Sequence, residues 1–139
     1  MLHRRRGLEG VERHKARRAR EDGATRLRDR VPALASLRLE FEEYRADGGI
    51  AEPGHVRKVV VERAPALFVV PCHEPACGGE GHDVTADVMR ALESRAGRFE
   101  GEDRCDGECG GAVCGRLLRY VGLATYDEAA GAGPRPRAD

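Results

Sequence analysis

The sequence has few of the residues that usually fill a hydrophobic core. Its 139 residues include no Trp, three Phe and three Tyr, and 35% of them are charged. The longest apolar run, APALFVV at 64–70, is far shorter than the roughly 18–20 residues of a membrane-spanning helix. A small domain with so little apolar material usually depends on a disulfide, a metal ion or a partner chain. We therefore expect a domain outside the membrane with one of these additional sources of stability.

The sequence also lacks the motifs of common enzyme classes. It has no glycine-rich phosphate-binding motif, no H-E-x-x-H motif and no serine elbow. Its two serines, Ser36 and Ser94, lie in or beside predicted regular elements. The first 22 residues contain no apolar segment of a secretory signal. The sequence thus favours a non-enzymatic, cytoplasmic protein, and it indicates no small-molecule substrate.

The charges balance overall but are unevenly spread. Residues 1–30 contain eleven Lys or Arg and five Asp or Glu, whereas residues 31–139 contain thirteen and nineteen. A basic arm of this kind can bind nucleic acid or an acidic protein. A solvated arm, or one that folds back on the acidic remainder, is the simpler interpretation. The candidate nucleic-acid-binding residues are Arg4, Arg5, Arg6, Arg13, Lys15, Arg17, Arg18 and Arg20.

Hydrophobic periodicity predicts a short series of strands and helices. Residues 8–30 have the composition of a marginal helix, and residues 37–45 alternate apolar and polar side chains as a half-buried strand does. Further strands are predicted at 56–63, 66–70 and 115–126, with a connection at 98–103.

The clearest helix follows Asp83, which we predict as its N-cap, and ends near Gly97. Its apolar stripe consists of Val84, Val88, Ala91 and Leu92.

The predicted fold class is α+β. We expect a small, mostly antiparallel sheet with one covering helix, stapled by a metal ion through two cysteine loops and preceded by a basic N-terminal helical arm. The predicted boundaries are 1–30 for this arm, which is marginally helical or disordered, and 35–127 for the metal-binding domain. Residues 128–139 are expected to be a disordered tail.

All five cysteines lie in two glycine-rich loops. One loop joins a strand to the helix, and the other leads into the last strand, so we expect the sulfurs to converge on one centre. Zinc takes four tetrahedral ligands, accepts thiolate at every position and supplies folding energy. Because regular elements anchor or bound four of the cysteines, the predicted ligands are Cys72, Cys77, Cys105 and Cys114, with Cys109 as a substitute for one of the later pair.

Other roles for these loops fit less well. The odd number of cysteines and the missing secretion signal disfavour disulfides, and idle thiols are more often scattered on apolar faces. Four available thiolates also argue against a catalytic zinc, which keeps one position open for water. His73 and His82 lie beside the first cysteine pair, where an imidazole could replace a thiolate at zinc. The simpler expectations are solvent exposure for His73 and a loop or capping role for His82.

The cysteine spacing resembles that of a known family. CHEPAC at 72–77, then a helix, then CDGEC at 105–109 is similar to the thioredoxin-like [2Fe-2S] ferredoxins, over residues 66–126. The resemblance implies that Cys72, Cys77, Cys105 and Cys109 hold the cluster, that Gly107 permits the turn, and that the function is one-electron transfer.

Two functions are therefore expected. The first is a small non-enzymatic zinc-binding domain that acts as a binding or adaptor module and contacts nucleic acid or an acidic protein through its basic arm. The alternative is a [2Fe-2S] ferredoxin-like electron carrier.

Overall fold

The computed structural model describes residues 12, 15–74, 76–77 and 81–127. Residues 15–23 are helical and are called α1. The elements that follow are α2 (Leu27–Arg30), β1 (Leu34–Tyr44), β2 (Ile50–Val59), β3 (Val69–Val70), β4 (His82–Asp83), α3 (Thr85–Glu93), β5 (Arg98–Arg104), β6 (Glu108–Cys109), β7 (Ala112–Val113) and β8 (Leu117–Tyr126).

A four-stranded antiparallel sheet with the order β2-β1-β8-β5 organises the fold. Strands β1 and β8 are the inner pair, and Phe41 of β1 lies opposite both His55 and Tyr120. Two small two-stranded sheets, β3-β4 and β6-β7, are also antiparallel. The prediction of a mixed α/β fold with a mostly antiparallel sheet and few helices is confirmed.

One face of the sheet carries the core. Along β1 the side chains of Leu37, Leu39 and Phe41 are buried while those of Arg38 and Glu42 are exposed, as the two-residue period of a strand requires. The core cluster continues through Phe68 and through residues of β8. The buried face therefore follows from the alternation in the sequence.

Helix α3 contributes Val88, Met89 and Leu92 to this core. Its N-cap residue is Val84, one residue later than predicted, but the carboxylate of Asp83 accepts a hydrogen bond from the Thr85 N–H at 3.0 Å. The predicted stripe is thus largely observed, with Met89 buried and Ala91 only half-buried.

One predicted connection and two predicted strands differ from the structure. The strand predicted at 56–63 is observed at Ile50–Val59. Residues 98–103, expected to be a connection, lie in strand β5 at the edge of the sheet, paired with β8. Their charges and Gly101 give weak strand propensity, so pairing with a neighbouring strand determines the structure here. Conversely, only Val69–Val70 of the predicted strand 66–70 is a strand.

The segment before β1 packs against the body of the domain. Leu27 is fully buried, its N–H donates to the Ala64 carbonyl at 2.9 Å, and Ala66 N–H donates to the Thr25 carbonyl at 2.7 Å. The predicted boundary between the arm and the domain at residue 30 stays a prediction. Leu27, which lies in the predicted arm, belongs to the core of the domain. Within the described residues, no helix combines the length and the apolar character needed to cross a membrane.

Candidate metal centre

The two cysteine loops meet at one end of the main sheet. Leu117, the first residue of β8, pairs with Tyr44 at the end of β1 and with Arg104 at the end of β5. Cys105 directly follows β5, and Cys114 lies just before β8. A backbone bridge between Cys77 and Cys109 joins the first loop to the second. The topology therefore brings cysteines that are distant in sequence to a common place.

Four sulfurs form a compact group there. The Sγ atoms of Cys72, Cys77, Cys105 and Cys114 all lie within 4.8 Å of one another. The closest pairs are Cys72–Cys114 at 3.6 Å and Cys77–Cys105 at 3.5 Å. A disulfide requires about 2.05 Å, whereas thiolates about 2.3 Å from one tetrahedral ion lie about 3.8 Å apart. None of the four cysteines forms a disulfide, and their spacing could accommodate one metal ion.

Hydrogen bonds from backbone amides favour the thiolate form of three of these cysteines. Each accepts a hydrogen bond from the N–H two residues downstream, donated by Glu74 to Cys72, by Gly107 to Cys105 and by Arg116 to Cys114. Hydrogen bonds to the charged form of an acid stabilise that form. The loop conformation that places the sulfurs thus also supports them as thiolates.

Burial opposes ionisation of the same thiols. It raises the pKa of Cys105 to about 11 and that of Cys72 higher still, and neighbouring thiols reinforce the rise at Cys72. Burial also acts on Cys114, but the hydrogen bond from Arg116 N–H and those from neighbouring thiols outweigh it and lower the pKa. A cation at the centre would supply the positive charge that this crowded, desolvated group needs.

Cys109 lies beside the four rather than among them. It is half-buried in strand β6, and its thiol interacts with those of Cys114 and Cys77. Partial burial and then the Cys114 thiol raise its pKa to about 12. The tight turn that follows Cys109 and joins β6 to β7 consists of Gly110 and Gly111. Their φ angles are 60° and 88°, values that glycine adopts readily.

A buried ionic network borders the cysteines. Arg116 donates to Glu43 Oε1 at 2.8 Å and to Glu74 Oε2 at 3.1 Å, and the side chains of Arg116 and Glu43 are 13% and 2% exposed. Burial alone would raise the pKa of Glu43, but the hydrogen bonds from Arg116 and His73 outweigh it and lower that pKa. The carboxylate is therefore held in its charged form inside the domain.

His82 lies in this network and is completely buried. Its Nδ1 is 3.0 Å from Asp103 Oδ2, and its Nε2 is 3.7 Å from Glu43 Oε2. Sequence reasoning assigned it a loop or capping role and did not single out Glu43. Glu43 had a usable signal, because it continues the inward-facing series Leu37, Leu39, Phe41 along β1. The signal for His82 is its position five residues after Cys77, which indicates a possible metal ligand but not a contact with Asp103.

The predicted nucleic-acid-binding residues are only partly covered by the structure. Arg4, Arg5, Arg6 and Arg13 lie outside the described residues. Lys15 and Arg18 are exposed on α1, Arg17 is half-buried, and Arg20 donates to Asp83 Oδ2 at 3.2 Å. The nucleic-acid role of these residues stays a prediction.

The chain matches no protein-family model, no curated protein and no solved structure. The resemblance to the thioredoxin-like ferredoxins therefore stays a prediction. The cysteine group and its surroundings are the features of the molecule that bear on its function.

Proposed function

We propose that Cys72, Cys77, Cys105 and Cys114 bind one zinc ion that fastens the two loops together, and that the chain is a non-enzymatic binding module built on this site. The observation that carries the proposal is the mutual proximity of four sulfurs within 4.8 Å. Zinc accepts four thiolates in a tetrahedron of this size, and such sites contribute directly to folding.

The sulfur spacing favours a single ion over a [2Fe-2S] cluster. Such a cluster distributes its four thiolates over two irons, so thiolates on different irons lie farther apart than thiolates that share one ion. In the present group every pair of sulfurs lies within 4.8 Å, as expected for ligands of one ion. The group also contains Cys114 in place of Cys109, which the ferredoxin resemblance implied as a ligand.

The coordination number supports a structural role. Four thiolates complete a tetrahedral shell and leave no position for a reacting water molecule, unlike the three-ligand sites of zinc enzymes. Two of the sulfurs belong to cysteines that are almost fully buried, Cys77 and Cys105. A closed, buried site stabilises a fold and does not expose the metal to a substrate.

Metal analysis of protein purified without a metal-binding tag tests the proposal. We expect colourless protein that contains zinc and no iron, and a cobalt-substituted form with the intense charge-transfer absorption of four thiolates. Cys105→Ser should lose this absorption and Cys109→Ser should keep it. A brown protein with about two irons per chain would instead establish the electron-carrier alternative.

We further propose that the basic residues of 1–30 bind the partner of the module, a polyanion such as nucleic acid. The support is that Lys15 and Arg18, three residues apart on α1, are both exposed. Binding of a fluorescent single-stranded or duplex oligonucleotide should weaken steeply with salt. The double substitution Lys15→Glu, Arg18→Glu should abolish it, and unchanged binding by this variant would remove the arm from the proposal.

A further inference from the structure

His82 has a ring nitrogen without a hydrogen-bond partner among the described residues. Its Nδ1 is hydrogen-bonded to the carboxylate of Asp103 at 3.0 Å, and only an N–H can donate there. In the neutral imidazole, Nε2 then carries a lone pair that accepts no hydrogen bond from the described residues, although His82 is fully buried. A buried polar atom without a partner is destabilising, and a group that binds its lone pair would remove this cost.

The groups that face Nε2 are also electron-pair donors. The ligand atoms of Glu43, Cys72 and His82 all lie within 4.8 Å of one another. Glu43 Oε2 is 3.7 Å from Nε2, too far for a hydrogen bond even if Nε2 carried a proton. Its neighbour Oε1 accepts a hydrogen bond from Arg116 at 2.8 Å, whereas Oε2 accepts longer hydrogen bonds from His73, at 3.2 and 3.4 Å.

We propose that Glu43, Cys72 and His82 bind a second divalent cation of the zinc type, with the Cys72 thiolate bridging the two ions. One carboxylate oxygen, one imidazole nitrogen and one sulfur form a donor set that suits a borderline ion. In metal sites a carboxylate often accepts a hydrogen bond from the second ring nitrogen of a ligating histidine and so fixes its orientation and tautomer. Asp103 makes this contact with His82. This proposal rests on the proposed four-thiolate site in one respect, because Cys72 belongs to both groups of ligands.

Electrostatics favours a second cation at this place. One divalent zinc with four thiolates carries a net charge of about −2, and the carboxylates of Glu43 and Asp103 add to it. Arg116 is the cation bound to Glu43, but it also pairs with Glu74. A second divalent ion beside Cys72 would offset this excess negative charge and would give His82 Nε2 a partner.

Titration of the full-length, metal-free protein with Co²⁺ tests this site, with the ion count from native mass spectrometry and the absorption spectrum recorded together. We expect two ions per chain for the wild type. His82→Gln should reduce the count to one and keep the four-thiolate charge-transfer band, which also shows that the variant folds. His55→Gln, which alters an exposed histidine that is not among the proposed ligands, should keep two ions.

The outcomes separate the second site from the first. One ion in the wild type, with the four-thiolate band and no change in His82→Gln, would overturn the second site and leave the zinc proposal intact. Two ions retained in His82→Gln would also overturn it. One ion that is lost in His82→Gln but kept in Cys105→Ser would support the Glu43–Cys72–His82 site and overturn the four-thiolate site.

Discussion

The buried interior has two ends that are built on different physical principles, and strand β1 passes through both. At one end Leu39 and Phe41 pack among apolar side chains. Two residues further along the same face, Glu43 lies among Arg116, two histidines and the cysteine group. The first end is stabilised by exclusion of water. The second consists of donors and charges, which become favourable inside a protein only when they are paired.

This difference determines which conditions each end responds to. Burial of hydrocarbon depends little on pH or on dissolved ions. Under the proposed function the cysteine end depends on both, because its thiols must lose protons to bind a metal ion and because a bound ion is in equilibrium with the ions in solution. Five measurements can separate the two ends.

Removal of the metal ion should have the largest effect. A ligand present at a thousand times its Kd stabilises the folded state by about 4 kcal/mol, so a chelator should lower the free energy of unfolding by about this amount. Urea denaturation with and without chelator measures it. Identical midpoints in the two conditions would mean that the cysteine end contributes no metal-dependent stability.

Truncation of a core side chain should have an effect of similar size, and this effect should not depend on metal. Leu92 of α3 is fully buried, and Leu92→Ala should cost about 2–5 kcal/mol. The matched control is Leu123→Ala, where 38% of the residue is exposed, with an expected cost below about 1 kcal/mol. Zinc content should be normal in both variants, and a loss of zinc in Leu92→Ala would show that the two ends are not independent.

Metal affinity should rise with pH. The pKa of Cys105 is raised to about 11 and that of Cys72 is raised further, so both thiols are protonated in the metal-free protein at neutral pH. Binding then releases at least these two protons, and affinity should increase about 100-fold per pH unit between pH 6 and 8.

Calorimetry in buffers of different ionisation enthalpy counts the protons released on zinc binding. A count near zero would contradict the raised pKa values. Leu92→Ala is the control, because a change in the apolar end should leave the number of released protons unchanged.

Loss of the buried cation should destabilise the cysteine end moderately. Arg116→Met leaves the Glu43 carboxylate without its 2.8 Å ion pair, and we expect a cost of about 2 kcal/mol, less than for a fully buried pair because Arg116 is partly exposed. In the metal-free protein, where Glu43 has no ion to bind, adding Glu43→Gln should recover part of the loss, since the amide carries no charge. A double variant that is less stable than the single one would contradict this account. Thermal denaturation of the three proteins provides the comparison.

The smallest effect is expected at the surface. Arg20 and Asp83 form an ion pair in which both side chains are more than 40% exposed. Arg20→Ala should change the free energy of unfolding by less than about 1 kcal/mol, and the difference should vanish in high salt. A larger, salt-resistant loss would indicate that α1 is an integral part of the folded domain.

Sequence periodicity predicted the apolar end well. The alternation along β1 and the stripe of α3 are local patterns, and both are observed apart from small shifts at the ends of the elements. Strand β5 could not be predicted in this way, because RFEGED has little intrinsic strand preference and is held by pairing with β8. The expected convergence of the two cysteine loops is observed in the proximity of four sulfurs. Their role as zinc ligands stays a prediction.

The polar part of the site could not be predicted from local patterns. Glu43, His82 and Arg116 are separated by more than 30 residues along the chain, and their contacts depend on the order of strands in the sheet. Inspection of β1 alone could have singled out Glu43 as a carboxylate on a buried face. Nothing in the sequence near His82 indicates that Asp103 and Glu43 flank it, since strand pairing brings them together only in the folded protein.

The inner strand β8 is the last element of the described chain, and it pairs with both β1 and β5. Among the described elements, this central strand is therefore the last that the ribosome releases, after the two strands that pair with it. Cys114, three residues before the strand, emerges at nearly the same moment. Until β8 has emerged, neither the sheet nor the group of four sulfurs can be complete, so the described domain can fold as a unit only late in its own synthesis.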